Sequence, residues 1–144
     1  MRGMRRLLVD TNALIDGMAS SRPQHEEARS LVPLAREAGF ELWVLASSLK
    51  NAYYLLCRHY HDEPTARRAI SAIRGCRSMA PLTRETIGAA LASDEPDLED
   101  GLVRAAAEAL CCSAIVSRDV RAFERSSVRR LDASGASRLM LGAR

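Results

Sequence analysis

The sequence predicts an α/β fold built on a parallel sheet. Short apolar runs typical of buried strands alternate along the chain with segments whose apolar residues recur at helical spacing. This alternation favours parallel strands joined by crossover helices. The length of 144 residues suits one domain, and no linker or repeat divides the chain. Residues 1–144 are therefore expected to form a single domain.

Five strands are predicted from short runs of β-branched residues and leucine. They are Arg5–Val9, Phe40–Leu45, 78–82, Ala114–Val116 and 128–131.

Helices are expected between and after these strands. They cover residues 11–20, 23–39, about 47–60, 62–75, 83–91, 98–110 and the segment after Ser134. The boundaries rest on local signals. Asp97, Thr83 and either Ser47 or Ser48 are placed to cap helix starts, as is Ser134. Gly39 ends a helix.

The composition narrows the class of protein. The cysteines Cys57, Cys76, Cys111 and Cys112 form no CxxC pair, which argues against a structural zinc site. They are interpreted as reduced, mostly buried residues of a cytoplasmic protein. The apolar run before Asp10 is too short for a secretory signal, and no apolar stretch is long enough for a membrane helix. The net charge of +3 does not by itself indicate a polyanionic partner.

Carboxylates fall where a parallel sheet forms its ligand crevice, beyond the carboxyl ends of the strands. Asp10 and Asp119 follow two predicted strands, and segment 94–100 holds five acids and no base. Asp97 is the expected cap of the next helix, which can be its whole role, and Asp100 points out of the same first turn. If three such acids meet, their charges repel, and Mg²⁺ relieves the repulsion. A cation held this way activates water toward a phosphodiester.

Four segments carry a resemblance to a known family. They are LLVDTNALIDGM at 7–18, WVLASSLKNAYYLL at 43–56, DLEDGLVRAAAEAL at 97–110 and IVSRDVRAF at 115–123. In this order they resemble the PIN-domain nucleases over nearly the whole chain, and ASSLKxxYYLL looks like a VapC-like, toxin-type subgroup. The resemblance implies a three-layer α/β/α sandwich. It also implies a Mg²⁺- or Mn²⁺-dependent endoribonuclease that leaves a 5′-phosphate and a 3′-hydroxyl, acts as the toxin of a toxin–antitoxin module, forms a homodimer and binds a small antitoxin.

The resemblance also assigns site residues. In the family's quartet of acids, Asp10 matches the first, Asp100 the third and Asp119 the fourth, and Asn51 stands at the second position. These four are the expected catalytic residues. Asp10, Asp100 and Asp119 are the expected metal ligands, together with Asp97, which would partly replace the charge missing at Asn51.

Further polar residues match the family's supporting positions. Thr11 and Asn12 follow the first acid, and Ser117 precedes the last acid by two residues. The candidates for contact with an RNA backbone are Arg104, Arg118 and Arg121. Arg104 can instead pair with Asp100, four residues before it, and Lys50 is either a phosphate contact or a solvated side chain. Tyr53 and Tyr54 are interpreted as core or dimer-interface residues.

Asn51 keeps a second hypothesis open. An amide carries no charge, is a weaker ligand for a hard cation and cannot act as a general base. The alternative is therefore a degenerate PIN domain that binds RNA or a protein without cleavage. A phosphotransfer-type domain is disfavoured, because it would need a lysine after a late strand and the one lysine is Lys50.

Overall fold

The computed structural model describes residues 5–143, in which strands and helices alternate as the sequence predicts. The strands are Arg5–Val9 (β1), Phe40–Leu45 (β2), Ser78–Ala80 (β3), Ala114–Val116 (β4) and Arg130–Leu131 (β5). The helices are Thr11–Met18 (α1), His25–Ala38 (α2), Ala46–Tyr60 (α3), Glu63–Gly75 (α4), Arg84–Ala92 (α5), Leu98–Ala109 (α6) and Ala133–Gly142 (α7).

The five strands form one parallel sheet in the order β3-β2-β1-β4-β5. Successive residues of β1 face opposite sides of this sheet. Leu7 and Val9 pack with α2 and α7 on one side, and Leu8 packs with α6 on the other. Helices therefore cover both faces, which confirms the three-layer α/β/α sandwich.

The strand order creates a crevice beside the end of β1. The chain runs from β1 outward to β2 and β3, then returns to place β4 on the other side of β1. Ligands of open parallel sheets bind at such a reversal, outside the carboxyl ends of the strands. Val9 pairs with Val116 here, and the Asp10 N–H donates to the Val116 carbonyl at 2.9 Å. Asp10 and Ser117 therefore leave the sheet side by side.

The helix boundaries follow their capping residues. Side-chain oxygens of Thr83 and Asp97 accept backbone N–H groups in the first turns of α5 and α6, as the sequence predicts. Asp62 does the same at the start of α4. Gly39 ends α2 with a positive φ of 74°, which glycine adopts without steric cost. α7 is capped by Asp132, two residues before Ser134, the cap that the sequence predicts. Asp132 caps it by accepting the Gly135 N–H at 2.7 Å.

Other predicted boundaries differ for physical reasons. β3 ends at Ala80 because Pro81 follows and has no N–H for the ladder. β5 begins at Arg130, and the buried Val128 packs in the loop before it. α3 starts directly after β2, so Ser47 and Ser48 lie inside its first turn and do not cap it.

Two predictions about the chain's class have structural outcomes. All four cysteines are free thiols, but of these Cys112 is the one that is buried and Cys111 is exposed. Between residues 5 and 143 no helix has the length and apolar character to cross a bilayer.

Candidate functional site

Asp10 caps α1 at the end of β1 and is 92% buried (8% exposed). Its backbone is extended, so its side chain turns back over the first turn of the helix. One carboxylate oxygen accepts the Thr11 N–H at 2.8 Å, and the other accepts the Ser117 hydroxyl at 3.0 Å. Burial raises the pKa of Asp10, although these two hydrogen bonds favour its charged form.

The fully buried Ser117 hydroxyl connects the ends of β1 and β4. It donates to Asp10 and accepts two N–H groups, from the Asn12 amide at 3.0 Å and from the Asp119 backbone at 3.2 Å. A hydroxyl has one donor and two acceptor lone pairs, so its capacity is filled. The Asn12 carbonyl oxygen in turn accepts the Arg118 N–H at 3.0 Å. This network fixes the 117–119 segment against the start of α1.

Asp100 projects from the first turn of α6 toward the same place. Its N–H donates to the capping carboxylate of Asp97 at 3.0 Å. Partial burial, together with the negative charges of Asp10, Asp97 and Asp119, raises the pKa of Asp100 to about 7. The Asp119 carboxylate also contributes to the raised pKa of Asp10. The fold therefore brings three acids that are distant in sequence within electrostatic reach of one another.

A cavity of about 540 Å³ opens between α1, α3 and α6 and contains Asp10, Asn51 and Asp100. Its polar lining also includes two basic residues, Arg22 and Lys50. Its apolar wall is formed by Ile15, Tyr54, Leu55, Leu102 and Val103. Glu99 also lines the cavity, which thus combines three acids with two flanking basic residues.

The donor set of this cavity suits a hard divalent cation. Asp10 and Asp100 supply carboxylate oxygens, and burial together with the charges of neighbouring acids raises the pKa of both. Within residues 5–143 no group of three or more His, Cys, Asp or Glu side chains is arranged to hold a metal by itself. Two acids are nevertheless a fitting set for Mg²⁺, which binds through one or two carboxylates and keeps several waters.

Sequence comparison assigns the family. The PIN domain family model matches residues 6–121, which is most of the chain. The chain belongs to the PIN domain family. No curated protein matches it by sequence.

Solved structures show the same fold. This PIN domain is similar to the VapC20 toxin of Mycobacterium tuberculosis, described as cleaving the sarcin–ricin loop, with 18% identity over 79% of this chain and 90% of that chain and a TM-score of 0.64. A toxin–antitoxin complex from Klebsiella pneumoniae is 22% identical over 82% and 90% of the two chains, with a TM-score of 0.59. VapBC2 of Rickettsia felis, bound to a DNA fragment from its promoter, is 10% identical over 88% and 98%, with a TM-score of 0.66.

The structure places the remaining predicted site residues at different distances from the PIN-domain cavity. Asn51 lines it from α3. Asp119 is exposed on the loop after β4, where its carboxylate accepts the Arg121 N–H at 3.0 Å. Asp97 is exposed and caps α6. The assignment of these residues as metal ligands or catalytic groups stays a prediction.

Two arginines expected to contact RNA are occupied within the PIN domain. The Arg104 side chain is 12% exposed and bonds to Asp94 at 2.7 Å, Glu108 at 2.8 Å and the Arg125 carbonyl at 3.1 Å. It therefore links α6 to two loops and has little left to offer a phosphate. Arg118 directs its Nε to the Asp16 carboxylate at 2.5 Å.

Three residues of the site region were missed from the sequence. Arg22 lies in the α1–α2 connection, where no periodic pattern marks it. Tyr54 was grouped with Tyr53, but the two differ. The Tyr53 hydroxyl donates to Glu63 at 2.5 Å, whereas Tyr54 is 60% exposed at the cavity. Asp16 carried a usable signal, because it is an acid four residues after Asn12 in an otherwise apolar helix.

Proposed function

We propose that this PIN domain is a divalent-metal-dependent endoribonuclease and the toxin component of a toxin–antitoxin module. The observation that carries the proposal is the pairing of Asp10 with Asp100 in one cavity, with a pKa of about 7 for Asp100 and with Arg22 and Lys50 alongside. Acids that repel one another without a counter-charge favour a bound cation, and the neighbouring bases favour a polyanionic substrate.

Asp10 and Asp100 would hold a Mg²⁺ or Mn²⁺ ion, with Asp119 as a direct or water-mediated ligand and Asp97 adding negative charge. When bound, such a cation supplies positive charge that offsets the charge of the phosphodiester and polarises water for attack. Ser117 and the Thr11 N–H orient the Asp10 carboxylate, and their hydrogen bonds favour its ionised form.

The substrate would lie across the cavity mouth. Lys50 and Arg22 border the acids, and we expect them to bind phosphates that flank the scissile bond. Arg22 would do so while its guanidinium stays 3.6 Å from the Asp16 carboxylate. Tyr54 offers an exposed ring at the same rim, suited to stacking a splayed base. RNA as the substrate class is supported by the toxin of similar fold that is described as cleaving the sarcin–ricin loop.

Asn51 supports one competing function, an RNA- or protein-binding PIN domain without cleavage. The residue faces the cavity with a neutral amide where a carboxylate would add charge and a possible proton acceptor. We expect this to weaken metal binding rather than to abolish it, because Asp10 and Asp100 remain. The two functions differ in their product: a nuclease releases cleaved RNA and needs its acids to do so, whereas a binding domain releases none.

The partner proposals follow from proteins of similar fold. Two of them are toxin–antitoxin assemblies, which supports a small antitoxin as the partner of this chain. We also propose that the chain forms a homodimer and is cytoplasmic, as expected of a toxin-type PIN domain.

The deciding experiment measures cleavage of single-stranded RNA by the full chain with Mg²⁺ or Mn²⁺, alongside Asp10→Asn and Asn51→Asp. We expect the wild type to cut, Asp10→Asn to lose the activity and Asn51→Asp to increase it. Ser20→Ala, an exposed change between α1 and α2, serves as the matched control. Equal residual cleavage by the wild type and Asp10→Asn would contradict the nuclease. RNA binding without cleavage in the wild type, with cleavage gained in Asn51→Asp, would favour the degenerate domain.

A further inference from the structure

Asp16 is a buried carboxylate outside the acidic cavity. It lies on α1, six residues after Asp10, with only 1% of its side chain exposed. One oxygen is 2.5 Å from the Arg118 Nε. The other has no hydrogen-bond donor among residues 5–143 and lies 3.6 Å from an Arg22 nitrogen. A buried ion pair is weak evidence for stability, because the cost of desolvation offsets most of the attraction. Its position beside the site suggests a different role.

Asp16 and Asn12 hold residue 118 at two points. They are four residues apart and so lie on the same face of α1. The Asn12 carbonyl oxygen accepts the backbone N–H of Arg118 at 3.0 Å, and Asp16 binds the guanidinium of that residue. One rigid helix face therefore fixes both the backbone and the side chain of Arg118.

The residues on either side of Arg118 belong to the site. Ser117 donates to Asp10, and the Asp119 N–H donates to the Ser117 hydroxyl. Farther along the same loop, the buried Glu95 carboxylate accepts the Phe123 N–H at 3.1 Å. The exposed Asp119 thus lies on a segment that is held by hydrogen bonds at both ends. On the side of α1, Asp16 supplies the ion pair, with Arg118.

We propose that Asp16, acting through Arg118, is a positioning residue that holds the Ser117–Asp119 segment against α1 and thereby sets the affinity of the site for a divalent cation. This inference rests on the proposed function. Outer residues that orient metal-binding groups typically contribute 10–100-fold to metal affinity. Arg118 has a second possible role as a contact to RNA, and the experiment separates the two.

The test uses the full chain with Asp16→Asn, Arg118→Met and the double variant. Mn²⁺ affinity is measured by titration calorimetry, and hydrogen exchange is followed at the Arg118 and Asp119 amides. We expect each single change to weaken Mn²⁺ binding about 10-fold or more and to speed exchange at both amides. The double variant should bind Mn²⁺ no more weakly than the weaker-binding single variant, because both changes remove the same ion pair.

The matched control is Arg6→Met. Arg6 also pairs with an acid, Glu41 at 3.3 Å, and is similarly exposed, but it lies near the start of β1, away from the strand ends that form the site. Its loss should leave Mn²⁺ affinity within about twofold of the wild type, which excludes a general effect of removing an arginine.

Several results would overturn the inference. Unchanged Mn²⁺ affinity in folded Asp16→Asn would do so. A double variant whose loss of Mn²⁺ affinity equals the product of the two single losses would also do so. Weakened RNA binding by Arg118→Met at unchanged Mn²⁺ affinity would make Arg118 a substrate contact instead. If Asp16→Asn does not fold, Arg118→Met decides, since its side chain is 35% exposed and less needed for the core. If the wild type binds no Mn²⁺, the proposed function fails, and amide exchange alone decides whether Asp16 positions the segment.

Discussion

Two sets of acids on neighbouring parts of the chain meet opposite electrostatic surroundings. Asp94, Glu95 and Glu108 gather around the Arg104 guanidinium, whose hydrogen bond lowers the pKa of Asp94. Asp100, one turn from Arg104 along α6, is partly buried near several other acids, and its pKa rises to about 7.

The difference teaches how one acidic stretch serves two purposes. Around Arg104, charges are paired, and the pairs join α6 to the loop that carries Asp119. Asp100 lines a cavity and forms no ion pair within the part of the chain that the structure describes. Unpaired and partly buried acids are typical of functional sites, whereas paired acids are typical of structural links. Substitutions can change the acids around Arg104 and those around Asp100 separately.

Asp100→Asn is expected to have the largest effect, on activity. Losing one of the two carboxylates proposed to hold the cation should lower RNA cleavage by about 100-fold or more, because a bound cation contributes several kcal/mol to the transition state. Thermal stability should stay the same or rise, since a repelled charge disappears. Cleavage assays and thermal unfolding on the same samples measure both. Asp94→Asn, a change in the paired set, is the control and should keep its activity. Comparable losses in the two variants would contradict the distinction.

Arg104→Met should chiefly reduce stability. It leaves the Glu95 carboxylate, 3% exposed, without its cation, and we expect the free energy of unfolding to fall by about 2–4 kcal/mol. Chemical denaturation measures the change. Cleavage by the fraction that remains folded should stay near the wild-type level. Arg67→Met, which removes an exposed i, i+4 pair with Glu63, is the control and should barely alter stability. A stable Arg104→Met protein that no longer binds RNA would return Arg104 to the list of substrate contacts.

The unpaired set should also make stability depend on pH. The pKa of Asp100 is about 7 in the folded chain, against an ordinary value of 3.8. Between these values the folded state keeps a proton that the unfolded chain has released, so this group makes stability fall as pH rises from about 4 to 7. The melting temperature of the metal-free protein should therefore drop more steeply over this range than that of Asp100→Asn. Adding Mn²⁺ at pH 7.5 should restore it, because the ion binds only the folded state. Parallel curves for the two proteins would contradict the unpaired state of Asp100.

Asp97 should give the smallest effects and separates capping from charge. Asp97→Ala is expected to cost about 1 kcal/mol of stability through loss of the α6 cap, whereas Asp97→Asn keeps the cap. Because Asp97 adds only to the field around Asp100, cleavage by Asp97→Asn should fall by a few-fold. A loss as large as that of Asp100→Asn would make Asp97 a direct metal ligand.

The fold was predictable because its signals are local. Strands such as Phe40–Leu45, caps such as Thr83 and the glycine that ends α2 all depend on signals within a few residues. A helix boundary that differs from the prediction is one where two neighbouring residues could each cap the helix. Asp132 and Ser134 are both good caps, and only the backbone geometry decides in favour of Asp132.

The site was predictable only in part. Asp10 and Asp119 follow strands, and a parallel sheet brings such ends together. The roles of Arg104 and Arg118 were not visible, because a sequence does not show whether a guanidinium meets a carboxylate from another element. Arg22 reaches the cavity from an irregular connection. Its position depends on how α1 and α2 pack, which no spacing rule predicts.

The most direct test of the account is a crystal of the protein soaked in Mn²⁺ and examined by anomalous scattering. We expect a Mn²⁺ peak coordinated by carboxylate oxygens of both Asp10 and Asp100, and no peak among the paired acids around Arg104. A peak that leaves either aspartate uncoordinated, or no peak with the two side chains turned apart, would contradict the central claim that these acids form one cation site.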